Sequence, residues 1–252
     1  MLNQGSSELD TREEAEKKLI REYFDNKAKG FFVEVGANEP VSPYSQSWHL
    51  ENVLGWSGIL IEPNPVLAEQ AKSNRPKSTV YQCACVSSET QGDLPLYIPL
   101  IDNTEVSGHA ALGKNIDDFS YKNHKEVKVH TRTLNSILEE LSVAQIDLLS
   151  IDVEGAELEV LYGFDIQKYK PNLILLEDKH VYLSKHRLLK KNGYELAKRT
   201  TLNCWYIPVG AKKPHQTFNE KIKLLKRMYL SIWLKKIKLA IRTKSLEPFK
   251  TL

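Results

Sequence analysis

Apolar and polar positions along this chain keep changing period, and each change marks an element. Phe31-Phe32-Val33-Glu34-Val35 is an apolar run broken by one acid, and Gly36-Ala37-Asn38 follows it. Aromatic and β-branched residues favour a buried strand there, and Gly36 permits a backbone angle that most residues avoid. A helical pattern over about 44–54 comes next. Ile59-Leu60-Ile61 is a second short buried strand ending in Glu62-Pro63-Asn64-Pro65. Pro65 suits the first turn of a helix running to about Asn74.

The pattern continues in the same style. Thr79–Val86, Leu94–Leu100 and Glu126–Thr131 read as strands, while Leu134, Ile137, Leu138 and Leu141 share a helical face. Ile146–Ile151 is a buried strand running into Asp152-Val153-Glu154-Gly155, with a helix behind it carrying Leu158, Val160 and Leu161. Asn172–Leu176 is another, ending in Glu177-Asp178. A helix over Ser184–Lys191 stops at Asn192-Gly193, and Tyr194–Thr200 with Asn203–Pro208 form a closing antiparallel pair. Before all of these, Ala15, Leu19, Ile20, Tyr23 and Phe24 mark an opening helix behind Asp10-Thr11-Arg12-Glu13, a capping box. Strands alternating with helices predict an α/β fold. Three regions are expected: a helical extension over 1–29, a main domain over 30–210, and a tail over 211–252.

Charge sharpens the last boundary. The net charge of the 252 residues is +3, yet residues 211–252 hold 12 Lys/Arg against 2 Asp/Glu, so the tail carries +10 and the rest −7. The three cysteines, Cys83, Cys85 and Cys204, make neither a disulfide framework nor a zinc pattern. A reducing, cytoplasmic setting is expected, with at most peripheral contact on the inner face of the membrane. The opening Met1-Leu2-Asn3-Gln4-Gly5 has no leader character, and no apolar run approaches the roughly 20 residues of a membrane span.

The chemistry gathers at strand tips. A strand, a glycine turn and a helix make half of a nucleotide-type site at the carboxyl end of a parallel sheet. Only Gly36 of a dinucleotide glycine pattern is present, with Asn38-Glu39-Pro40 where further glycines would stand, and this excludes a nicotinamide oxidoreductase. No lysine comes after it, which excludes a P-loop. Glu34, two residues before the glycine, favours a ligand with a positive group, and the ammonium and sulfonium of S-adenosylmethionine fit. Glu62 lies 26 residues after Gly36, in the register of an acid that accepts ribose hydroxyls. Ser45 is expected on the ligand side of the first helix, and Ala84 with its neighbour Cys83 beneath the adenine. The long polar stretch Ile101–Lys125 reads as a lid or acceptor loop containing His109. Asp152 and Glu154, at a strand tip facing the same crevice, are candidates for base or ligand work, and so is His180 behind the next tip. Glu157 reads as a helix-start acid.

Taken in order, Val33–Asn38, Gly55–Pro65 and Ile151–Glu157 resemble the FkbM-type S-adenosylmethionine-dependent methyltransferases, over roughly residues 31–180. The resemblance implies a class I methyltransferase (Rossmann-like) fold, a seven-stranded mostly parallel sheet with flanking helices, here with a basic C-terminal helix added. It implies Glu34, Gly36 and Asn38 around the methionine and Glu62 on the ribose, and Ala37, Pro63 and Asn64 beside them are expected in the cofactor site. It further implies O-methylation of a hydroxyl on a sugar, glycan or polyketide-type natural product. A base would remove the hydroxyl proton, with Asp152, Glu154 and His180 as candidates. A rival mechanism sets Asp152, Glu177 and Asp178 around Mg²⁺, whose preference is for oxygen ligands. Glu39-Pro40 replaces a glycine usual in the family, so the alternative is a non-catalytic cofactor-binding module on the same fold.

The tail has no Gly or Pro from Phe218 to Lys244. On a helix, Ile222, Leu225, Tyr229, Ile232, Trp233 and Ala240 share one side, and Lys223, Arg227, Lys235, Lys238 and Arg242 the other. Its aromatics lie on the apolar stripe, so nucleic acid is not the expected partner. A helix over 218–244 lying on an anionic membrane would bring the main domain to lipid-linked glycans, each Lys or Arg near the surface adding about 1 kcal/mol. Liposome flotation tests this: the full chain should float with anionic vesicles and release at high salt, and a chain ending near Lys213 should not. Equal behaviour of the two removes the tail as an anchor.

Overall fold

The computed structural model describes residues 14–41, 45–90, 92–113, 121, 123–177, 183–200, 203–226, 237 and 241. In chain order these give α1 over 14–23, β1 (Phe31–Val35), α2 (Trp48–Leu54), β2 (Ser57–Ile61), α3 (Pro65–Asn74), β3 (Ser78–Tyr81) and β4 (Ala84–Cys85). Next come β5 (Asp93–Ile101), β6 (Thr104–Glu105), a 3-10 turn over Ser107–His109, β7 (Ala111–Leu112), β8 (His124–Arg132) and α4 (Leu134–Glu140). The rest are β9 (Leu148–Ile151), α5 (Glu157–Tyr162), α6 (Ile166–Tyr169), β10 (Leu173–Glu177), α7 (Leu183–Lys191), β11 (Tyr194–Arg199), β12 (Asn203–Pro208) and α8 (Phe218–Leu225).

The main sheet has seven strands in the order β11-β12-β10-β9-β1-β2-β3. All pairs are parallel except those made by β12, which runs antiparallel to both neighbours. Alternation along each strand sends side chains to two separate cores. Val33, Val35, Ile59, Ile61, Leu149, Ile151, Ile174 and Leu176 face α4 to α7. Phe32, Leu60, Leu148, Leu173, Leu175 and Trp205 face α1, α2 and α3. The opening helix is part of this second core through Ile20, and its buried Glu16 accepts from Thr200, Asn203 and Trp205 across the β11–β12 hairpin.

The structure corrects several sequence expectations. The strand expected over Thr79–Val86 breaks after Tyr81, whose carbonyl takes the Glu62 amide; β4 then leaves the main sheet and pairs with β8. The strands expected at 94–100 and 126–131 are present, as the long antiparallel β5–β8 pair of a second sheet. Its small core is Ala84, Leu96, Ile98 and Val129. The first helix starts at Trp48 rather than near 44, because the side chains of Ser45 and Ser47 and the amide of Gln46 all bond Glu34. The 101–125 stretch, expected as a loop, carries β6, the 3-10 turn and β7 on the edge of β5. Of the 218–244 helix, α8 opens on a Thr217–Glu220 capping box, and most of the chain beyond Lys226 lies outside the described residues. Among the described residues no helix is long and apolar enough to cross a membrane.

The strand tips come closest at Gly36. Its φ is +83°, and a Cβ there would lie 1.8 Å from the Asp152 carbonyl oxygen. Any side chain would push β1 off β9 as well as strain the backbone. Gly36→Ala should therefore cost about 2–4 kcal/mol, read as a lowered urea midpoint. Wild-type stability in that variant would mean that the two tips do not meet.

Candidate active site

The turn after β1 lies folded onto the tip of β2. The Gly36 and Ala37 amides both donate to the Ile61 carbonyl, at 2.9 and 3.1 Å, and the Asn38 amide donates to Glu62 Oε2 at 2.7 Å. These amides are thus used within the protein rather than held out to a phosphate. Glu62 Oε1 takes the Asn64 amide at 2.8 Å, and the Asn64 side chain caps α3 through Val66. Each oxygen of Glu62 holds one backbone donor, and a carboxylate oxygen accepts two. One acceptor position per oxygen therefore remains.

Between the tips of β1, β2 and β9 and the second sheet, to which β4 belongs, lies a solvent-open cleft. Gly36, Asn38, Glu62, Pro63, Cys83, Ala84, Asp152 and Glu154 line it, so eight of the expected site residues meet there. Glu34, Ala37, Ser45 and Asn64 do not line it. Ala37 is buried among the apolar residues on the α1–α3 side of the sheet, and Asn64 is a helix cap. The buried Glu34 carboxylate accepts from Ser45 Oγ (3.1 Å), Gln46 N (2.7 Å) and the Ser47 hydroxyl, so Glu34 and Ser45 brace the turn from behind. His180 and Asp178 lie outside the described residues.

Sequence reading missed the opposite wall. Leu96, Gly108, Ala110 and Leu112 come from β5 and the elements inserted after it. Only the length of the polar 101–125 stretch pointed to them. Burial pushes the Cys83 thiol up to about 11 and Cys85 well above its ordinary value, so both remain neutral, apolar surface at the cleft wall.

Two features fit S-adenosylmethionine. Asn38, in the left-handed region at φ 47°, has a buried Oδ1 with no hydrogen-bond partner. A buried acceptor left alone costs about 1–3 kcal/mol, which an ammonium or hydroxyl donor would recover. Glu62, with its two open acceptor positions, suits a ribose diol. Beyond it the carboxylate oxygens of Asp152, Glu154 and Glu177 lie within 4.8 Å of one another. Of the expected Mg²⁺ ligands, Asp152 and Glu177 are thus neighbours. Acidic groups gather without a metal often enough that this closeness alone does not argue for Mg²⁺.

A seven-stranded sheet in this order, with a cleft at the carboxyl ends of its parallel strands, is the class I methyltransferase fold. Within that class the chain belongs to the FkbM methyltransferase family: the profile described as "Methyltransferase FkbM domain" matches residues 34–196. No curated protein matches it. Among solved structures it is similar to precorrin-6y C5,15-methyltransferase from Geobacter metallireducens GS-15, with 14% identity over 76% of this chain and 84% of that one and a TM-score of 0.39. It is also similar to a TehB-like SAM-dependent methyltransferase from Corynebacterium glutamicum ATCC 13032 Kitasato, with 8% identity, 75% and 87% coverage and a TM-score of 0.38.

Burial pushes the Glu62 pKa up to about 7 despite its two backbone donors, and the charge of Glu34 pushes the same way. Without ligand, the protonated form is favoured, so this group's stabilising contribution is present below the ordinary carboxylate range and is lost as pH rises through about 7. Ribose hydroxyls donate to the ionised form. Affinity for S-adenosylmethionine should therefore rise as pH increases toward 7, level off above it, and be accompanied by proton release near neutrality. Glu62→Ala should weaken binding by about 1–3 kcal/mol and abolish that pH dependence. Titration calorimetry in buffers of different ionisation enthalpy measures both, and a flat profile in the wild type would take Glu62 out of the site.

Proposed function

We propose that the protein moves a methyl group from S-adenosylmethionine to a hydroxyl oxygen of a sugar, glycan or similar polyhydroxylated natural product. The observation that carries this reading is the pair of carboxylates lining the cleft, Asp152 and Glu154, with buried Glu177 within 4.8 Å of both. These are hydrogen-bond acceptors, and they suit an uncharged acceptor rich in O–H donors. When bound, S-adenosylmethionine supplies an electrophilic methyl carbon on a positively charged sulfur.

The chain's own residues do the rest. Glu62 would accept from the ribose hydroxyls and Asn38 Oδ1 from a donor at the methionine end. Ala84, Cys83 and Leu96 offer apolar contact for the adenine. Asp152, at the tip of β9 and exposed to the cleft, would accept from the acceptor hydroxyl and aim its oxygen at the methyl. Such positioning supplies much of the acceleration in transfer reactions. The alternative, a binding module without turnover, draws on Glu39-Pro40. The Pro40 carbonyl accepts from the buried Arg75 at 2.8 Å, a backbone contact that any residue there would offer.

Asp152→Asn keeps the shape and removes the charge. With tritium-labelled S-adenosylmethionine and a panel of neutral glycosides, it should lower transfer by about 10²-fold or more while cofactor binding persists. Full activity in Asp152→Asn would exclude this role. Turnover is expected to withstand EDTA, and loss of activity restored by Mg²⁺ would instead make Asp152 and Glu177 ligands. Tight cofactor binding with no transfer across the panel favours the binding module.

A further inference from the structure

We propose that His109 is a catalytic residue of this transfer, receiving the proton of the acceptor hydroxyl while Glu154 holds its ring. The inference rests on the hydroxyl-methylation reading above. His109 ends the 3-10 turn inserted between β6 and β7, and its chain neighbours Gly108 and Ala110 both line the cleft. The turn lies close against the cofactor side, since a Cβ on Gly108 would be 3.4 Å from Asn38 Nδ2. The His109 side chain is 49% exposed, between two residues that line the cleft.

Two contacts from different parts of the chain lie on the ring. Its Nδ1 is 3.4 Å from Glu154 Oε1, and it stacks on Tyr121 with centroids 5.8 Å apart and planes 28° apart. Glu154 is itself held. It stands in the left-handed region at φ 51°, and the next amide, Gly155, donates to Glu157 Oε1 at 2.9 Å. Buried Lys185 bonds the other oxygen of Glu157 at 2.6 Å. With Nδ1 turned to Glu154, Nε2 is the nitrogen left for the acceptor. Catalytic contacts in ligand-free sites are often long and shorten when the substrate binds, so 3.4 Å is compatible with an orienting bond.

The chemistry favours an imidazole over the carboxylates beside it. Imidazole takes up a proton near neutral pH, and an adjacent carboxylate stabilises the cation that forms. In the step, the hydroxyl proton passes to Nε2 as the oxygen forms its bond to the methyl carbon. The sulfur–carbon bond breaks with its electron pair remaining on sulfur, giving a neutral thioether. The imidazolium then releases the proton to solvent through its exposed side.

The first test needs no acceptor. Long-range ¹⁵N–¹H NMR of the full chain with ¹⁵N-labelled histidine and saturating S-adenosylhomocysteine reports each ring's tautomer, and the signal missing in His109→Gln identifies His109. The expected result is a proton on Nδ1 and a bare Nε2, with Glu154→Gln shifting the ring toward the opposite tautomer. A proton on Nε2 in the wild type, or no response to Glu154→Gln, overturns the proposal. The second test uses neutral p-nitrophenyl glycosides with tritium-labelled S-adenosylmethionine. His109→Gln should lose about 10²-fold or more in kcat, with S-adenosylhomocysteine affinity within about twofold of wild type. Wild-type turnover in His109→Gln also overturns it. If the wild type methylates no glycoside, the hydroxyl-methylation reading fails, and the tautomer still decides the orientation assigned to His109.

Discussion

A buried guanidinium holds the β1–β2 side of the cleft together. Arg75, fully enclosed at the end of α3, donates to Glu51 (2.8 Å), the Pro40 carbonyl (2.8 Å) and Ser47 Oγ (2.8 Å), and lies over the Phe32 and Trp48 rings. Ser47 and its neighbours in turn supply the donors that satisfy Glu34. One web thus joins β1, the segment after it, α2 and the end of α3. Removing one partner from such a web strands a buried charge, at about 3–5 kcal/mol, so the web is complete or the region does not form. The turn at Gly36–Asn38, and through it Glu62, takes its position from this frame.

The two walls of the cleft are made differently. One wall consists of strand tips braced by buried charges and a glycine contact that leaves no room for a side chain. The other wall is an addition: a second sheet with a core of four buried residues, carrying short inserted elements on its edge. The first wall suits a ligand whose shape never changes. The second meets the first where His109 lies 3.4 Å from Glu154.

That division decides how much was legible in the sequence. Strand patterns around Val33, Leu60, Leu149 and Leu175 were plain because buried parallel strands are continuously apolar. Gly36, Glu62 and Asp152 stood out because each ends such a run. Glu34 was legible as an unusual buried acid, but its direction was not: both a cofactor ammonium and the Ser45–Ser47 donors satisfy a carboxylate, and only the start of α2 distinguishes them. Arg75 gave no signal, since an arginine after a helix reads as a solvated cation. The break after Tyr81 and the pairing of β5 with β8 depend on contacts distant in the chain, which local periodicity does not record. The meeting of His109 with Glu154 was hidden for the same reason.

The central claim is that one cleft binds S-adenosylmethionine along the tips of β1, β2 and β4 and turns its reactive end toward the β9 rim. A crystal structure of the full chain with S-adenosylhomocysteine tests it most directly. Ribose hydroxyls are expected within hydrogen-bonding distance of both Glu62 oxygens, with a donor on Asn38 Oδ1, adenine against Ala84, and the sulfur facing Asp152. Ligand bound elsewhere, or in the cleft with Glu62 unengaged and its sulfur turned away from Asp152, would contradict it.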